Sequence, residues 1–356
     1  MVGMGPQTTE DTGPMAREAL KYKPQASPDL PKVSVILVAF QSGEHLKPCL
    51  DALAAQTFQP LEILLIDNAS TDGAPAAALL DHPTVRLVEP GCNLGFAAGV
   101  NLGADLAQGD WLALINPDAF AQADWLETLI AATRTWPDIV CFGSRQLMAN
   151  APGKLDGLGD VMSLPGFPFR GGYGRPDPGP TAPGETFSAC GGAMLIRRDI
   201  FQDMGGFDAR LFCYCEDVDL GYRLRLENRP TLVIPDAVVR HVGSASTGGP
   251  RSEFASFHGA RNRFWVFVKD TPPLLFWLTL PLHLALTAIL FVRLAQQGHL
   301  APQWRGLMAG IKGLPLALEA RREAQARRRV GSWAIARAMT WNPLDLLQRR
   351  VVIRKP

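Results

Sequence analysis

From Val33 onward the chain alternates short apolar runs with helix-patterned stretches, and this alternation restricts its fold more than any other feature. Residues 33–40 (VSVILVAF) are rich in β-branched side chains, as expected of a strand buried on both faces. Residues 44–56 predict a helix, LEILLIDN a second strand, and residues 69–73 a turn that leads into a short Ala/Leu helix. VRLVEP predicts a third strand, residues 96–107 a helix, and WLALINPDA a fourth strand that ends in a polar loop. Strand and helix in alternation imply an α/β fold whose central sheet is mostly parallel, with crossover connections. A helix near 124–135 and a strand near 139–143 follow. Residues 150–188 are rich in Gly and Pro without periodicity and predict a long loop, either a candidate acceptor-side lid carrying Tyr173 and Arg175 or a passive surface insertion. GGAMLI, RDIFQDM and residues 216–227 return the chain to packed structure.

With 356 residues the chain has room for about two domains of ~100–200 residues, or for one elaborated α/β domain with a tail. Its charge is unevenly placed. Residues 301–356 hold 10 Arg and 2 Lys against three acids, a net of +9, while the first 300 residues carry −8. An acidic body with a basic tail points to an anionic surface met by the tail, and phospholipid fits better than nucleic acid because no aromatic interleaving accompanies the arginines. Six cysteines without a CxxC pair or zinc spacing predict reduced thiols. Residues 1–31 are polar and lack an apolar core, so they predict a flexible arm rather than a signal peptide.

The polar residues gather where strands end. Asp67 and Asn68 close the second strand, and Asn116, Pro117 and Asp118 the fourth, which is where open parallel sheets bind ligands. Helix capping and turn formation remain alternatives for each acid. Gly91, Gly95, Gly99 and Gly103 recur every four residues, for close helix packing or for a ligand; Asn93 stands by a helix N-terminus that can receive phosphate. Glu216, Asp217 and Asp219 place three carboxylates in four positions, either favouring the helix dipole or supplying a general base, and Asp219 with Arg223 predicts an i,i+4 ion pair. His241 closes a strand-like run, and with Asp118 it is a candidate for a hard cation that keeps several waters.

Taken together and in order, VSVILVAF, IDNASTDG, NLGFAAGVNLG, LINPDA, CGGAMLIRRDIFQDMGGFDARLFCYCEDVDLGYRLR and RH followed by GSAS resemble glycosyltransferase family 2, in particular its rhamnosyltransferase-like branch, over about residues 33–270. The resemblance implies a GT-A type fold over residues 32–270, a nucleotide-sugar donor, a divalent metal (Mg or Mn) and inversion at the anomeric carbon. It implies donor contacts at Ala39, Asp67, Asn68, Asn93, Gly95, Asn116 and Asp118, metal ligation by Asp118 and His241, and Asp217 as the base that deprotonates the acceptor hydroxyl. Glu216, Asp219 and Arg223 would support the acceptor side. Asn116 stands where the family often has the first acid of Asp-x-Asp, and Gln41 where it often has Asn. No QxxRW follows, which suggests transfer of a single sugar.

The expected activity is transfer of one sugar, rhamnose or another hexose, to a polysaccharide, lipopolysaccharide or other lipid-linked acceptor, without nucleic acid as partner. Two alternatives are weighed against it. An NAD-linked oxidoreductase lacks its GxGxxG fingerprint here, and an inactive sugar-nucleotide-binding scaffold at a membrane would keep every motif. Residues 274–292 hold no Asp, Glu, Lys or Arg but contain Pro281 and His283, close to the ~20 apolar residues a span needs. The expectation for 271–356 is an interfacial or re-entrant region at the cytoplasmic face, paired with the apolar run 306–318, with Arg321, Arg322, Arg327, Arg328 and Arg329 at anionic headgroups. A buried helical subdomain is the alternative.

Overall fold

A computed structural model of the chain describes residues 31–243, 248–249 and 252–356. Residues 1–30 of the expected arm and the SAST segment after Gly243 lie outside them. The first half follows the predicted alternation: β1 (Val33–Ala39), α1 (Leu46–Ala54), β2 (Glu62–Asp67), α2 (Ala74–Asp81), β3 (Arg86–Val88), α3 (Gly95–Leu106) and β4 (Trp111–Ile115). Then come β5 (Ala119–Ala121), α4 (Trp125–Thr135), β6 (Cys141–Met148), β7 (Leu155–Leu158), β8 (Asp160–Met162), β9 (Pro168–Arg170) and β10 (Gly184–Thr186). The chain continues through β11 (Ala193–Arg197), α5 (Arg198–Asp203), α6 (Glu216–Leu226) and β12 (Thr231–His241). It ends in helices α7 (Glu253–Asp270), α8 (Pro273–Gln296), α9 (Leu300–Lys312), α10 (Leu314–Ala326), α11 (Ser332–Ala338) and α12 (Pro343–Gln348).

The main sheet runs β10-β12-β6-β11-β4-β1-β2-β3, with β5 on β12 and β7 on β6. It is parallel across β4-β1-β2-β3 and mixed beyond, because β11 enters antiparallel between β4 and β6. Successive side chains of β1 point to opposite faces. Val33, Val35 and Leu37 pack with Leu50, Leu53, Trp125 and Leu129 of α1 and α4. Ile36 and Val38 pack with Ala97, Val100, Phe201 and Leu220 of α3, α5 and α6. Gly99 and Gly103 serve this second layer, since a Cβ on either would lie 2.9 Å from Val38 and 2.6 Å from Ile36. For those two glycines the packing reading holds.

The expected loop at 150–188 is instead built into the body. It supplies β7 to β10, and residues 155–163 are buried throughout. These strands are too short for periodicity to show, and glycines let them close up: Gly157 leaves room for the Arg170 side chain and Gly159 (φ +75°) for Thr186.

The C-terminal region is also integral, so the boundary expected at residue 270 falls inside one compact unit spanning residues 31–356. The apolar run at 306–318 breaks at Gly313 and lays α9 along α7. A Cβ on Gly306 would come within 2.2 Å of the Phe257 carbonyl oxygen, and Trp265 donates to Gly310 O at 2.9 Å. Contact between α9 and α8 includes the ring pair Phe291–Trp304. Two of the arginines expected at headgroups are spent internally: Arg321 donates to the carbonyls of Val268 and Thr271, and Arg327 pairs with Asp203 and Glu227.

Helix α8 is amphipathic with the usual sides exchanged. Its buried residues are Leu275, Thr279, His283 and Thr287, one stripe at four-residue spacing. Its exposed residues include Leu274, Trp277, Leu278, Leu282, Leu284, Ile289 and Val292. His283 stacks on Phe267 at 4.0 Å and its Nδ1 meets Pro165 O at 2.8 Å, which accounts for the polar interruption in the sequence. A buried subdomain is therefore not what α8 forms. Because the α7–α9 contact is backbone against backbone, Gly306→Ala should destabilise by about 1–3 kcal/mol. Gly259→Ala, in α7 with open space at its Cβ, should be neutral or stabilising by up to ~1 kcal/mol. Thermal unfolding of the two variants would show the opposite signs.

Candidate active site

A cavity of about 720 Å³ opens beyond the carboxyl ends of β1, β2 and β4. Ser42 follows β1, Asn68 follows β2, and Asn116, Pro117 and Asp118 follow β4; all five line it. Asn93, Gly95, Glu216, Asp217 and His241 line it as well, so most of the residues singled out in the sequence converge on one place. Four do not. Ala39 is fully buried and offers its carbonyl to Asn68 N at 2.8 Å. Asp67 accepts from Ser70 N at 2.9 Å, closing the turn after β2. Asp219 and Arg223 form the expected ion pair at 2.8 Å, within a buried network behind the cavity wall. Lys269 Nζ lies 2.6 Å from Asp219 and 2.6 Å from Asp208, and Arg223 also donates to Met204 O and Gly206 O. They brace α6 on α7 and α5.

His241 is held from two sides. Its Nδ1 lies 2.8 Å from Asp156 Oδ2, and its Nε2 lies 3.1 Å from Asp118 Oδ1 and 3.3 Å from Asn116 Nδ2. Burial opposes a charge on the imidazole, but the hydrogen bonds to Asp118 and Asp156 outweigh it and raise its pKa to about 9. The same arrangement fits a divalent cation. Asp156 orients the ring through Nδ1, which aims Nε2 at the Asp118 carboxylate, and carboxylate, imidazole and water suit Mn²⁺ or Mg²⁺. Asp156 carries a further partner, Arg170.

Asp217 stands on the first turn of α6, half-buried and facing the cavity. Gly191 N donates to its Oδ2 at 2.9 Å and Val218 N to its Oδ1 at 2.8 Å, so the carboxylate is fixed in direction. Asp160, Cys190 and Asp217 bring three ligand atoms within 4.8 Å of one another. Burial and the charge of Asp217 push the Asp160 carboxyl well above its ordinary range, and burial with the same neighbour does so for Glu216. Of these three carboxylates, all of which line the cavity, Asp217 is the least buried.

Among the described residues, Ser42 Oγ, Asn68 Oδ1 and Glu216 Oε2 are buried without a hydrogen-bond partner, and all three residues line this cavity. Leaving such an atom unpaired costs ~1–3 kcal/mol. Sequence reasoning did not find Asp156, Asp160 or Arg170, whose only signal is acids set among glycines in residues 155–160. It also missed Asn262, whose side chain organises the loop before α6.

Known proteins resemble the chain in sequence and in fold. The family description Glycosyl transferase family 2 matches residues 34–205. The N-acetylglucosaminyl-diphospho-decaprenol L-rhamnosyltransferase of Mycobacterium tuberculosis is 32% identical over 264 residues, 66% of this chain and 83% of that protein. Among solved structures, a mannosyltransferase from Pyrobaculum calidifontis, in complex with GDP-Man and Mn²⁺, superposes with a TM-score of 0.50 at 19% identity, covering 89% of this chain and 87% of its own. GalNAc-T7 with UDP, GalNAc and Mn²⁺ gives 0.53 at 19% identity, over 65% of this chain and 47% of the other. The two superpositions establish the fold, which is of the GT-A type.

Asp156→Asn removes the charge that orients His241. It should weaken Mn²⁺ binding by about ten- to a hundredfold, read from free Mn²⁺ by electron paramagnetic resonance, with thermal unfolding as the control for fold.

Proposed function

The chain belongs to glycosyl transferase family 2, and on that premise we propose that it is an inverting, metal-dependent glycosyltransferase that moves one sugar from a nucleotide-sugar donor to a glycan or lipid-linked acceptor. The observation that carries this reading is that the Asp118–His241 pair and the fixed carboxylate of Asp217 line the same cavity. Its donor would be rhamnose or another hexose on a nucleotide, and its acceptor lipid-linked, in keeping with the name of the Mycobacterium tuberculosis relative.

In this reading the nucleotide occupies the side lined by Ser42, Asn68 and Asn93, where Ser42 Oγ and Asn68 Oδ1 await partners. Asp118 and His241 would hold the divalent ion, which supplies positive charge toward the departing diphosphate. Asp217 accepts the proton of the acceptor hydroxyl as its oxygen bonds to the anomeric carbon. The bond from that carbon to the diphosphate oxygen breaks with its electron pair leaving on the diphosphate, and attack from the opposite side inverts the centre. Backbone donors on both Asp217 oxygens restrict the carboxylate to one orientation, so little is lost in aiming it during reaction.

Association with a membrane at its cytoplasmic face belongs to the same proposal. It is supported by the exposed apolar side of α8, a helix of 24 residues with mean hydropathy 2.1 in its most apolar window.

Asp217→Asn keeps the shape and removes the proton acceptor. Turnover should fall by ~10²–10⁴ while nucleotide-sugar binding and melting temperature are kept; near-normal turnover would remove Asp217 from this role, and binding without turnover in the wild type would favour a scaffold instead. Truncation at residue 271 would strip α7 of its packing, so the membrane test uses exposed positions: Trp277→Glu with Leu284→Glu should abolish flotation with phosphatidylglycerol-containing vesicles and leave thermal unfolding unchanged. Flotation equal to wild type would contradict the role of α8.

A further inference from the structure

The end of the chain folds back onto the segment that frames the cavity. Gly172 N donates to Arg349 O at 2.7 Å, and Arg175 Nη1 donates to Gln348 O at 2.9 Å. Glu185 and Arg354 exchange two backbone hydrogen bonds, at 2.8 and 2.9 Å. Between these attachments Arg349 sits in the left-handed region, φ 48°, a conformation that a non-glycine residue keeps only when its surroundings hold it. Its guanidinium carbon lies 4.9 Å from the centre of the Tyr173 ring. Among the described residues this guanidinium makes no hydrogen bond and no ion pair, and it lines the cavity. Arg170, also in the cavity wall, is by contrast committed to Asp156. An exposed guanidinium, oriented by stacking and with its fork of donors open, is suited to a phosphate.

What lies next to Arg349 narrows the ligand further. Trp341, Leu344 and Leu347 are exposed at 56%, 46% and 65%, and Trp333 makes an edge contact with Trp341 at 5.8 Å. Arg350 is exposed beside them, and α11 packs against α8, whose apolar side is bare. The order in the molecule is therefore a polar catalytic cavity, a cationic group, and an apolar surface. A lipid-linked sugar presents the matching order of sugar, phosphate linker and hydrocarbon.

We propose that Arg349 is the phosphate-binding subsite for a lipid-phosphate-linked acceptor, whose sugar enters the cavity and whose hydrocarbon chain runs along Trp341, Leu344 and Leu347. The proposal rests on the glycosyltransferase reading above, with its lipid-linked acceptor, and adds to it the residue that holds the acceptor's phosphate and the surface that takes its hydrocarbon. The sheet topology agrees, because the tail pairs with β10, at the sheet edge opposite β3 and away from the Ser42–Asn68 side given to the nucleotide.

The test uses the full chain in detergent micelles with farnesyl diphosphate as probe, and farnesol and inorganic diphosphate as its two halves. Uridine, guanosine and thymidine diphosphates with Mn²⁺ report on the donor side. Wild type should bind farnesyl diphosphate more tightly than either half. Arg349→Gln should bind it about tenfold more weakly, the loss of one charge-assisted contact, with the melting temperature and nucleoside diphosphate binding unchanged. Arg349→Lys should recover part of the loss, and Leu344→Ser with Leu347→Ser should weaken farnesyl diphosphate but not inorganic diphosphate. Equal binding by wild type and Arg349→Gln overturns the proposal. So does an equal loss of nucleoside diphosphate binding, which would assign Arg349 to the donor, or an equal Arg349-dependent loss on phosphatidylglycerol vesicles, which would make it an ordinary headgroup contact. If a nucleoside diphosphate binds and farnesyl diphosphate does not, the subsite alone fails; if no nucleoside diphosphate binds with Mn²⁺, the glycosyltransferase reading fails with it.

Discussion

The candidate site depends on a strained loop and on the one side chain that pins it. Phe212, Tyr214 and Cys215 hold φ of 63°, 72° and 66°, the left-handed region, at a cost of roughly 1–3 kcal/mol for each such residue. Asn262, fully buried in α7, shares the two hydrogens of its amide among the carbonyls of Leu211, Cys213 and Tyr214 at 2.9, 2.8 and 2.7 Å. Arg261 adds donors to Arg210 O and Leu211 O and a further one to the Asn262 amide oxygen. Helix α6 starts immediately after this loop, so the direction of Asp217 is set by backbone that would relax without α7. Gly95 belongs to the same arrangement: at φ +79° it leaves space for Phe212, and a Cβ there would lie 2.5 Å from that ring.

Support for α7 passes the requirement on to the C-terminal helices. Glycines 306, 310 and 313 bring α9 against it, and Arg321 occupies carbonyls at its C-terminal end, where helix acceptors otherwise lack partners. Lys269, at that end, joins the loop residue Asp208 to Asp219 of α6 through a buried ion cluster, in which removing one partner would strand the rest. Residues 271–356 therefore act on the catalytic geometry as well as on whatever surface they meet. This is why the division at residue 270 describes composition better than it describes packing.

What the sequence disclosed follows physical range. The parallel half of the sheet was legible because doubly buried strands are uninterrupted apolar runs, and the strand-end residues Asn68, Asn116 and Asp118 could be placed by topology alone. His241 beside Asp118 and the carboxylates Glu216, Asp217 and Asp219 were candidates from the residues alone, but charge pattern left the three acids equivalent and only the family resemblance singled out Asp217 as the base. The structure separates them by degree: Asp219 is sealed in its ion cluster, and of the two that line the cavity Glu216 is buried while Asp217 is half-buried with both oxygens held by backbone donors. The partners of these groups were not legible. Asp156 meets His241 across 85 positions and Asn262 meets Leu211 across 51, contacts that no local pattern encodes. Residues 150–188 were misread for a related reason, because strands of three or four residues held by distant partners leave no period to detect.

Helix α8 carries the remaining argument. At ~1.5 Å per residue its 24 residues extend about 36 Å, enough to cross a hydrocarbon core of ~30 Å. Its buried stripe, however, fastens it to the body over residues 275–287, with Phe276 and His283 both on Phe267 and His283 on Pro165 O. A crossing orientation would draw that body, with its charged surface, into the hydrocarbon. For the membrane association proposed above, the polar stripe inward and the apolar side outward would favour the helix lying along the interface with its outer side chains immersed. Each large apolar side chain moved out of water there contributes up to ~1.5–3 kcal/mol, so the exposed row on α8 is sufficient for attachment without any span.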